Sequence, residues 1–232
     1  MKIKYILLSI ITLAFFASCS KDNYDPPSTT LNGRIVYMGE AINVEQGRVN
    51  FELWQSGFGK SGAISVAVAQ EGSYSAVLFN GNYKLTMPNN NGPWVWKQTA
   101  AGKPDSLAID LKGDQTLDLE VTPYYMIRNP QFSVASGKVT GTFNLEKIIT
   151  DATAKNIQTV SIYISKTQFV SGSYAIAFTD VAGSTLTSLD NISLNVSIPT
   201  LSPTQNYVFA RIGVRLEGTD KLLFSPVEKL TF

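Results

Sequence analysis

The chain has 232 residues, 44% of them apolar and 16% charged, enough for one large or two small folded domains and too apolar for a disordered chain. It holds no histidine and one cysteine, which excludes Ser-His-Asp and Cys-His nucleophiles, zinc sites built from Cys and His, and disulfides within the chain. Nineteen Lys and Arg stand against 18 Asp and Glu, a balance without the basic footprint of a nucleic-acid binder.

The chain opens Met1-Lys2-Ile3-Lys4, followed by an apolar run from Tyr5 to Ala17 and then Ser18-Cys19-Ser20-Lys21-Asp22. A positive start, about a dozen apolar residues and small residues before a cut site make a secretory signal. The run is too short for a spanning helix, which needs about 20 apolar residues. Phe16-Ala17-Ser18-Cys19 resembles a bacterial lipobox, in which the cysteine thiol is acylated and becomes the first residue of the mature protein. Cys19, the sole cysteine and placed where cleavage is expected, is the lipid attachment site that this resemblance implies; two or more acyl chains anchor stably where one does not. Removing Lys2 and Lys4 with the leader leaves 17 basic residues against 18 acidic ones. Ser20 to Thr30, polar and carrying Pro26-Pro27, reads as an extended tether. Ser20-Lys21-Asp22-Asn23 is similar to the export signal of Bacteroidetes surface lipoproteins, with one acid where the fuller pattern has two. The expected address is the outer membrane, displayed at the cell surface, with the periplasmic face as the alternative.

From Leu31 onward, strand-like runs recur with turn signals between them, which predicts an all-β chain. Val49, Phe51 and Leu53 alternate with Asn50, Glu52 and Trp54, and Ile64, Val66 and Val68 alternate with Ser65, Ala67 and Ala69. Asn80-Gly81 lies between alternating runs and predicts a hairpin, since both residues accept positive φ. Lys112-Gly113-Asp114 predicts a second hairpin between 107–111 and 116–121. Leu31-Asn32-Gly33-Arg34-Ile35-Val36, Gly72-Ser73-Tyr74-Ser75 and Asn80-Gly81-Asn82-Tyr83-Lys84-Leu85 resemble the transthyretin-like domains related to the carboxypeptidase regulatory domain. That resemblance implies an accessory β-sandwich, not a catalytic one.

Thr122 to Pro130 reads as a linker or a shared strand. Strands are then expected at 138–145, 157–165, 173–178, 192–198, 207–216 and 221–225, with one short helix at 146–155. Leu201-Ser202-Pro203-Thr204-Gln205-Asn206-Tyr207 resembles the fibronectin type III pattern before a long strand, where the tyrosine hydroxyl bonds back to the chain as a corner. Gly218-Thr219-Asp220-Lys221 is the expected next turn. Gly72-Ser73-Tyr74 recurs as Gly172-Ser173-Tyr174, too short a match to make a repeat. The expected organisation is a signal peptide over 1–18, a lipidated tether over 19–30, a transthyretin-like β-sandwich over 31–121, a linker over 122–130, and a fibronectin type III- or immunoglobulin-like β-sandwich over 131–232.

This order of segments resembles a Bacteroidetes surface lipoprotein family known as a domain of unknown function, of the 3823 type. The resemblance implies an accessory role beside glycan-uptake systems of the outer membrane and supplies no site residues. A glycan and glycan-importer proteins are the partners it suggests, besides the membrane itself. No cofactor and no catalytic residue is expected.

The site candidates come from the residues. Asn89-Asn90-Asn91 precede Gly92-Pro93-Trp94-Val95-Trp96. Trp94 and Trp96 share a face on a strand, so two indoles beside three amides could make a carbohydrate platform. Burial in the core is the commoner fate of tryptophan and stands as the competing reading. Trp54 shares a face with Asn50 and Glu52, opposite Phe51 and Leu53. It is either a surface aromatic or a side chain covered by the second domain, the latter being slightly favoured.

Asp110, Asp114, Asp118 and Glu120 alternate with leucines and read as a solvated strand face rather than a calcium loop. A glycosidase would need two carboxyls facing across a cleft, and no spacing here points to one. Asn191 and Asn195 head N-glycosylation patterns that a bacterial lipoprotein has no expected machinery for. Asp105-Ser106-Leu107 resembles a short O-glycosylation pattern of Bacteroidetes secreted proteins. Non-enzymatic binding of a glycan or partner protein is the leading expectation. A structural or adhesive role through protein–protein contacts is the alternative, and a two-carboxylate hydrolase the third.

Overall fold

The computed structural model describes residues 25–57 and 62–232. Cys19, the leader and the start of the tether lie outside the described residues. The strands are, in order, β1 (Thr29–Tyr37), β2 (Glu40–Ala41), β3 (Asn50–Gln55), β4 (Ile64–Ala67), β5 (Ser73–Leu78), β6 (Gly81–Thr86), β7 (Trp94–Val95), β8 (Leu107–Leu111), β9 (Gln115–Thr116) and β10 (Leu119–Glu120). They continue with β11 (Thr122–Pro123), β12 (Tyr125–Ala135), β13 (Lys138–Lys147), β14 (Ile157–Ser165), β15 (Ala177–Ala182), β16 (Ile192–Ser197), β17 (Tyr207–Leu216), β18 (Leu223–Phe224) and β19 (Glu228–Thr231). The protein is two all-β sandwiches.

In the first sandwich, β1 is central to one sheet, with β5 antiparallel to it and the short β9 and β10 parallel to it. The other sheet runs β4-β3-β6-β8. Period-two alternation puts Phe51, Leu53, Val66, Leu85, Ile109 and Leu111 between the sheets, each no more than 5% exposed. The backbones approach closely at Gly33, where an added Cβ would overlap the Leu117 carbonyl. Tyr74 Oη donates to that same carbonyl oxygen at 2.5 Å. Gly33→Ala is therefore expected to cost about 1–3 kcal/mol, the usual toll of overpacking, read as a fall in Tm. An unchanged Tm would mean that β1 and the 117 region separate freely.

Both expected hairpins of this domain are instead crossings between sheets. β5 pairs with β1, whereas β6 pairs with β3 and β8. Gly81 has φ 147°, and Asn80 stays out of the left-handed region that a type I′ turn requires of both residues. Its side chain ties the crossing instead, Oδ1 accepting from Thr29 Oγ1 at 3.0 Å and Gly113 N at 2.8 Å. After β8 the chain turns at Gly113 (φ 78°) and joins β1 in the opposite sheet.

The segment 122–130, expected as a linker or a shared strand, is strand on both sides of Tyr124. Thr122–Pro123 pairs with Trp94–Val95, and Tyr125 begins β12. Tyr124 N donates to Pro93 O at 3.2 Å, and its own carbonyl accepts from Ile148 N at 3.0 Å, so the junction is held by both domains.

The second sandwich faces β12-β13-β16 against a sheet of β15-β14-β17 extended by β18 and β19. The expected helix at 146–155 is the end of β13 followed by a turn. Asp151 Oδ1 accepts from Thr153 N (2.8 Å) and Thr153 Oγ1 (2.6 Å), a local bond that competes with helix. The strand expected at 173–178 begins at Ala177; residues 171–174 form a turn, with Tyr174 N bonded to Ser171 O. Gly172-Ser173-Tyr174 is thus no structural counterpart of Gly72-Ser73-Tyr74, which opens β5. Tyr207 makes no corner: its ring lies beneath Lys229 Nζ, 4.1 Å from the centroid, and edge-on to Phe209.

The first domain docks on the outward face of β17 and on the neighbouring β18. At the centre is Arg211, fully buried. Its Nε donates to Ser225 O at 2.6 Å, Nη1 to Val44 O at 3.0 Å and Nη2 to Gln70 O at 2.8 Å. Its guanidinium carbon lies 4.4 Å from the centroid of the Phe224 ring. Phe224 N donates to Asn43 O at 3.0 Å, and Ser173 Oγ to Glu45 at 3.0 Å. Arg128 joins the domains at the margin, paired with Glu40 on one side and Glu146 on the other.

Candidate functional site

The alternation that buries Phe51 and Leu53 sends Asn50, Glu52 and Trp54 to the opposite face of β3. The pairing of β3 with β6 sets Trp54 directly across from Lys84 and Glu52 across from Thr86. The pairing of β6 with β8 sets Lys84 across from Ala108 and Asn82 across from Asp110. One row of the outer face therefore reads Trp54, Lys84, Ala108, and its small last member leaves the lysine arm open on one side.

Trp54 is 46% exposed. Its Nε1 lies 3.2 Å from both Glu52 Oε2 and Thr86 Oγ1. The indole is thus pinned by its polar edge while its apolar ring borders a hollow of about 630 Å³ lined by Trp54, Gln55, Asn82, Lys84 and Asp110 among others. A fixed aromatic plate with amide, ammonium and carboxylate groups beside it can stack on an apolar ring face and bond hydroxyls around its rim. Its hydrogen-bond partners and the hollow's lining all come from the first domain, so the reading in which the second domain covers Trp54 is corrected.

The platform expected at Trp94 and Trp96 meets a different fate. They are 4% and 5% exposed. Trp94 Nε1 sits 2.9 Å from Met87 Sδ, and Trp96 Nε1 donates to Asp105 O at 2.7 Å. The backbone of Gly92 lies against the Trp94 indole, where a Cβ would overlap the ring. Covered rings cannot stack on a sugar, and the shared strand face that would have exposed them is a two-residue strand closed by β11. Asn91 is likewise occupied, its Nδ2 donating to the Asn50 carbonyl. Asn89 and Asn90 remain exposed beside a small depression of about 220 Å³.

The acids expected on a solvated strand face are exposed, and three of them also accept from amides along β1 and just after it. Asp114 Oδ1 accepts from Thr30 N at 2.7 Å, Asp118 Oδ1 from Arg34 N at 2.9 Å, and Glu120 Oε1 from Met38 N at 2.6 Å. Asp118 also pairs with the Arg34 guanidinium at 2.8 Å. That hydrogen bond, ahead of smaller effects, holds the Asp118 carboxyl below its ordinary range. Asp151 and Asp220 shift the same way, opposite to the raised carboxyl that a glycosidase acid needs. Asp110 pairs with Lys112 at 2.5 Å.

Asn82, Lys84 and Thr86 complete the Trp54 face, and the sequence carries no motif that marks them as site residues. Their alternation with Tyr83 and Leu85 placed them on one face of β6, but nothing local said that this face continues that of Trp54.

The comparisons follow the same two-domain division. The family model described as Protein of unknown function (DUF3823), N-terminal domain, matches residues 29–122. The Domain of unknown function (DUF3823_C) matches residues 125–229. A crystal structure of a DUF3823 family protein from Parabacteroides merdae is 34% identical, with a TM-score of 0.77 over 89% of this chain and 100% of that one. Another, from Bacteroides ovatus, is 31% identical with a TM-score of 0.76, covering 88% of this chain and 99% of that one. A protein from Bacteroides uniformis described as a candidate carbohydrate binding protein shares the fold, with a TM-score of 0.71 at 16% identity over 89% of this chain and all of that one. No curated protein matches the chain. With both models in chain order over most of its length, and two solved members above 30% identity, the chain belongs to the DUF3823 family.

Proposed function

We propose that this protein is a non-enzymatic glycan-binding lipoprotein, anchored through Cys19 and acting at the outer membrane beside a polysaccharide-uptake system. The observation that carries the binding role is Trp54, a large aromatic held by two hydrogen bonds in an exposed position over a mostly apolar hollow with Asn82, Lys84 and Asp110 in its lining. Holding an exposed indole fixed removes its ordering cost from ligand binding. The fold shared with a candidate carbohydrate binding protein supports the same reading. The lipobox-like Phe16-Ala17-Ser18-Cys19 and the polar tether support the address.

The test is retardation of the purified protein, Ser20 to Phe232, in gels containing plant, host or microbial polysaccharides. Retardation by at least one class is expected, and Trp54→Ala is expected to weaken it about tenfold or more, the scale of one lost stacking contact. The variant should melt with the parent, because the indole is half exposed. No retardation by any polysaccharide would remove the glycan role. Retardation that survives Trp54→Ala would move the site elsewhere.

A further inference from the structure

We infer that the Trp54 platform takes sugars bearing a carboxylate, that is uronides, and that Lys84 selects them, a selection that rests on the glycan-binding reading of the same face. Lys84 stands directly across from Trp54 in the β3–β6 pairing, so their Cβ atoms are about 5 Å apart. Among the described residues the Lys84 ammonium makes no ion pair and no hydrogen bond. The two acids nearest to it on the face are engaged elsewhere. The Glu52 carboxylate accepts from the Trp54 indole, and the Asp110 carboxylate is paired with Lys112 at 2.5 Å. The hollow therefore presents an ammonium with no ion-pair partner beside an aromatic plate.

The chemistry of a uronide matches that pair. Its ring offers an apolar C–H face to the indole, and its carboxylate projects from the ring edge. The lysine, a point charge on a flexible four-carbon stem, reaches an anion at the edge of a ring stacked on the adjacent plate. Ala108, across from Lys84 on β8, presents no bulk on the other side. A neutral hexose carries a hydroxymethyl group at the same edge and leaves the ammonium without a counter-charge.

Lys84 is exposed, so the gain per sugar is that of a surface ion pair, at most about fivefold, and is screened by salt. The probes are polygalacturonate and the same polymer after carboxyl reduction, titrated against the parent protein, Trp54→Ala, Lys84→Met and Lys112→Met. The parent is expected to prefer polygalacturonate several-fold at low salt and to lose most of that preference at high salt. Lys84→Met should equalise the two polymers, with its melting temperature unchanged. Lys112→Met, which frees Asp110 beside the hollow, should reduce the preference without abolishing it. Equal binding of both polymers by the parent, or a preference that survives Lys84→Met, overturns the selection while leaving glycan binding in place. If neither polymer nor any neutral glycan binds, the glycan reading has failed and the selection falls with it. If neutral glycans bind Trp54 and polygalacturonate does not, the selection alone is wrong.

Discussion

Arg211→Met is expected to destabilise the protein by about 3–5 kcal/mol, the scale found when one partner of a buried charged network is removed. The side chain is fully buried and donates to three carbonyls, two of them in the first domain and one in the second. Desolvation lowers its pKa to about 9, opposed by the charges of Glu71 and Glu45. At neutral pH it therefore remains a cation, and the bonds it makes are charge-assisted. Methionine fills much of the volume and covers the Phe224 ring. It leaves Ser225 O and Val44 O without their donor in a buried interface, while Gln70 O keeps the bond from Val44 N; each unmet group costs about 1–3 kcal/mol. Arg211→Lys should restore little, because a single ammonium cannot reach three carbonyls that a planar fork spans. In a chain of this size each kcal/mol moves Tm by about 2–4 °C, so a fall near 10 °C is expected by calorimetry. The loss should concentrate at the domain junction, so one parental transition would broaden or split in two. A Tm within about two degrees of the parent would show that the junction is held by its apolar contacts, and that the arginine adds no net stability.

Arg211 also shows what the sequence could not tell. It sits in a strand otherwise read correctly, with Val208, Ala210, Ile212 and Val214 on the inner face. By alternation Arg211 was an outward residue, and so it is. The outward face of β17 is a domain interface, and no local pattern announces that. The same limit explains the two misread turns. Asn80-Gly81 and Lys112-Gly113-Asp114 are turn chemistry, and turns stand at both places. Whether a turn returns the chain beside the strand it left or carries it to the facing sheet depends on non-local pairing. The alternation of β3 put Trp54, Asn50 and Glu52 on one face and Phe51 and Leu53 on the other, and the structure agrees residue by residue. Trp94 and Trp96 misled as a platform because the same-face argument holds for a strand of either exposure, and β7 is too short to carry a polar alternation that would distinguish them. The acids 114, 118 and 120 were legible as one face. Their role, accepting from the amides of Thr30, Arg34 and Met38 more than 80 residues earlier, was not.

Trp94→Ala should separate packing aromatic from binding aromatic. The indole is almost completely covered, with Gly92 against its ring and Met87 at its nitrogen. Its removal is expected to cost about 3–5 kcal/mol, the transfer free energy of the side chain plus that of the cavity left behind. Measured well below the lowered Tm, glycan retardation should match the parent. Trp54→Ala should give the mirror image, a parental Tm with binding weakened about tenfold or more. If alanine leaves too little folded protein, Trp94→Phe serves. The Trp94 Nε1–H faces a thioether, a weak acceptor, so phenylalanine forfeits little hydrogen bonding and keeps a ring against Gly92, and the fall in Tm should be smaller. Loss of retardation in Trp94→Phe with an undisturbed melt would return the site to the Asn89–Asn91 loop and count against Trp54. The reciprocal pattern across the two variants would locate binding on the outer face of β3 and β6, because a buried ring acts on a ligand only through the stability of the fold that holds it.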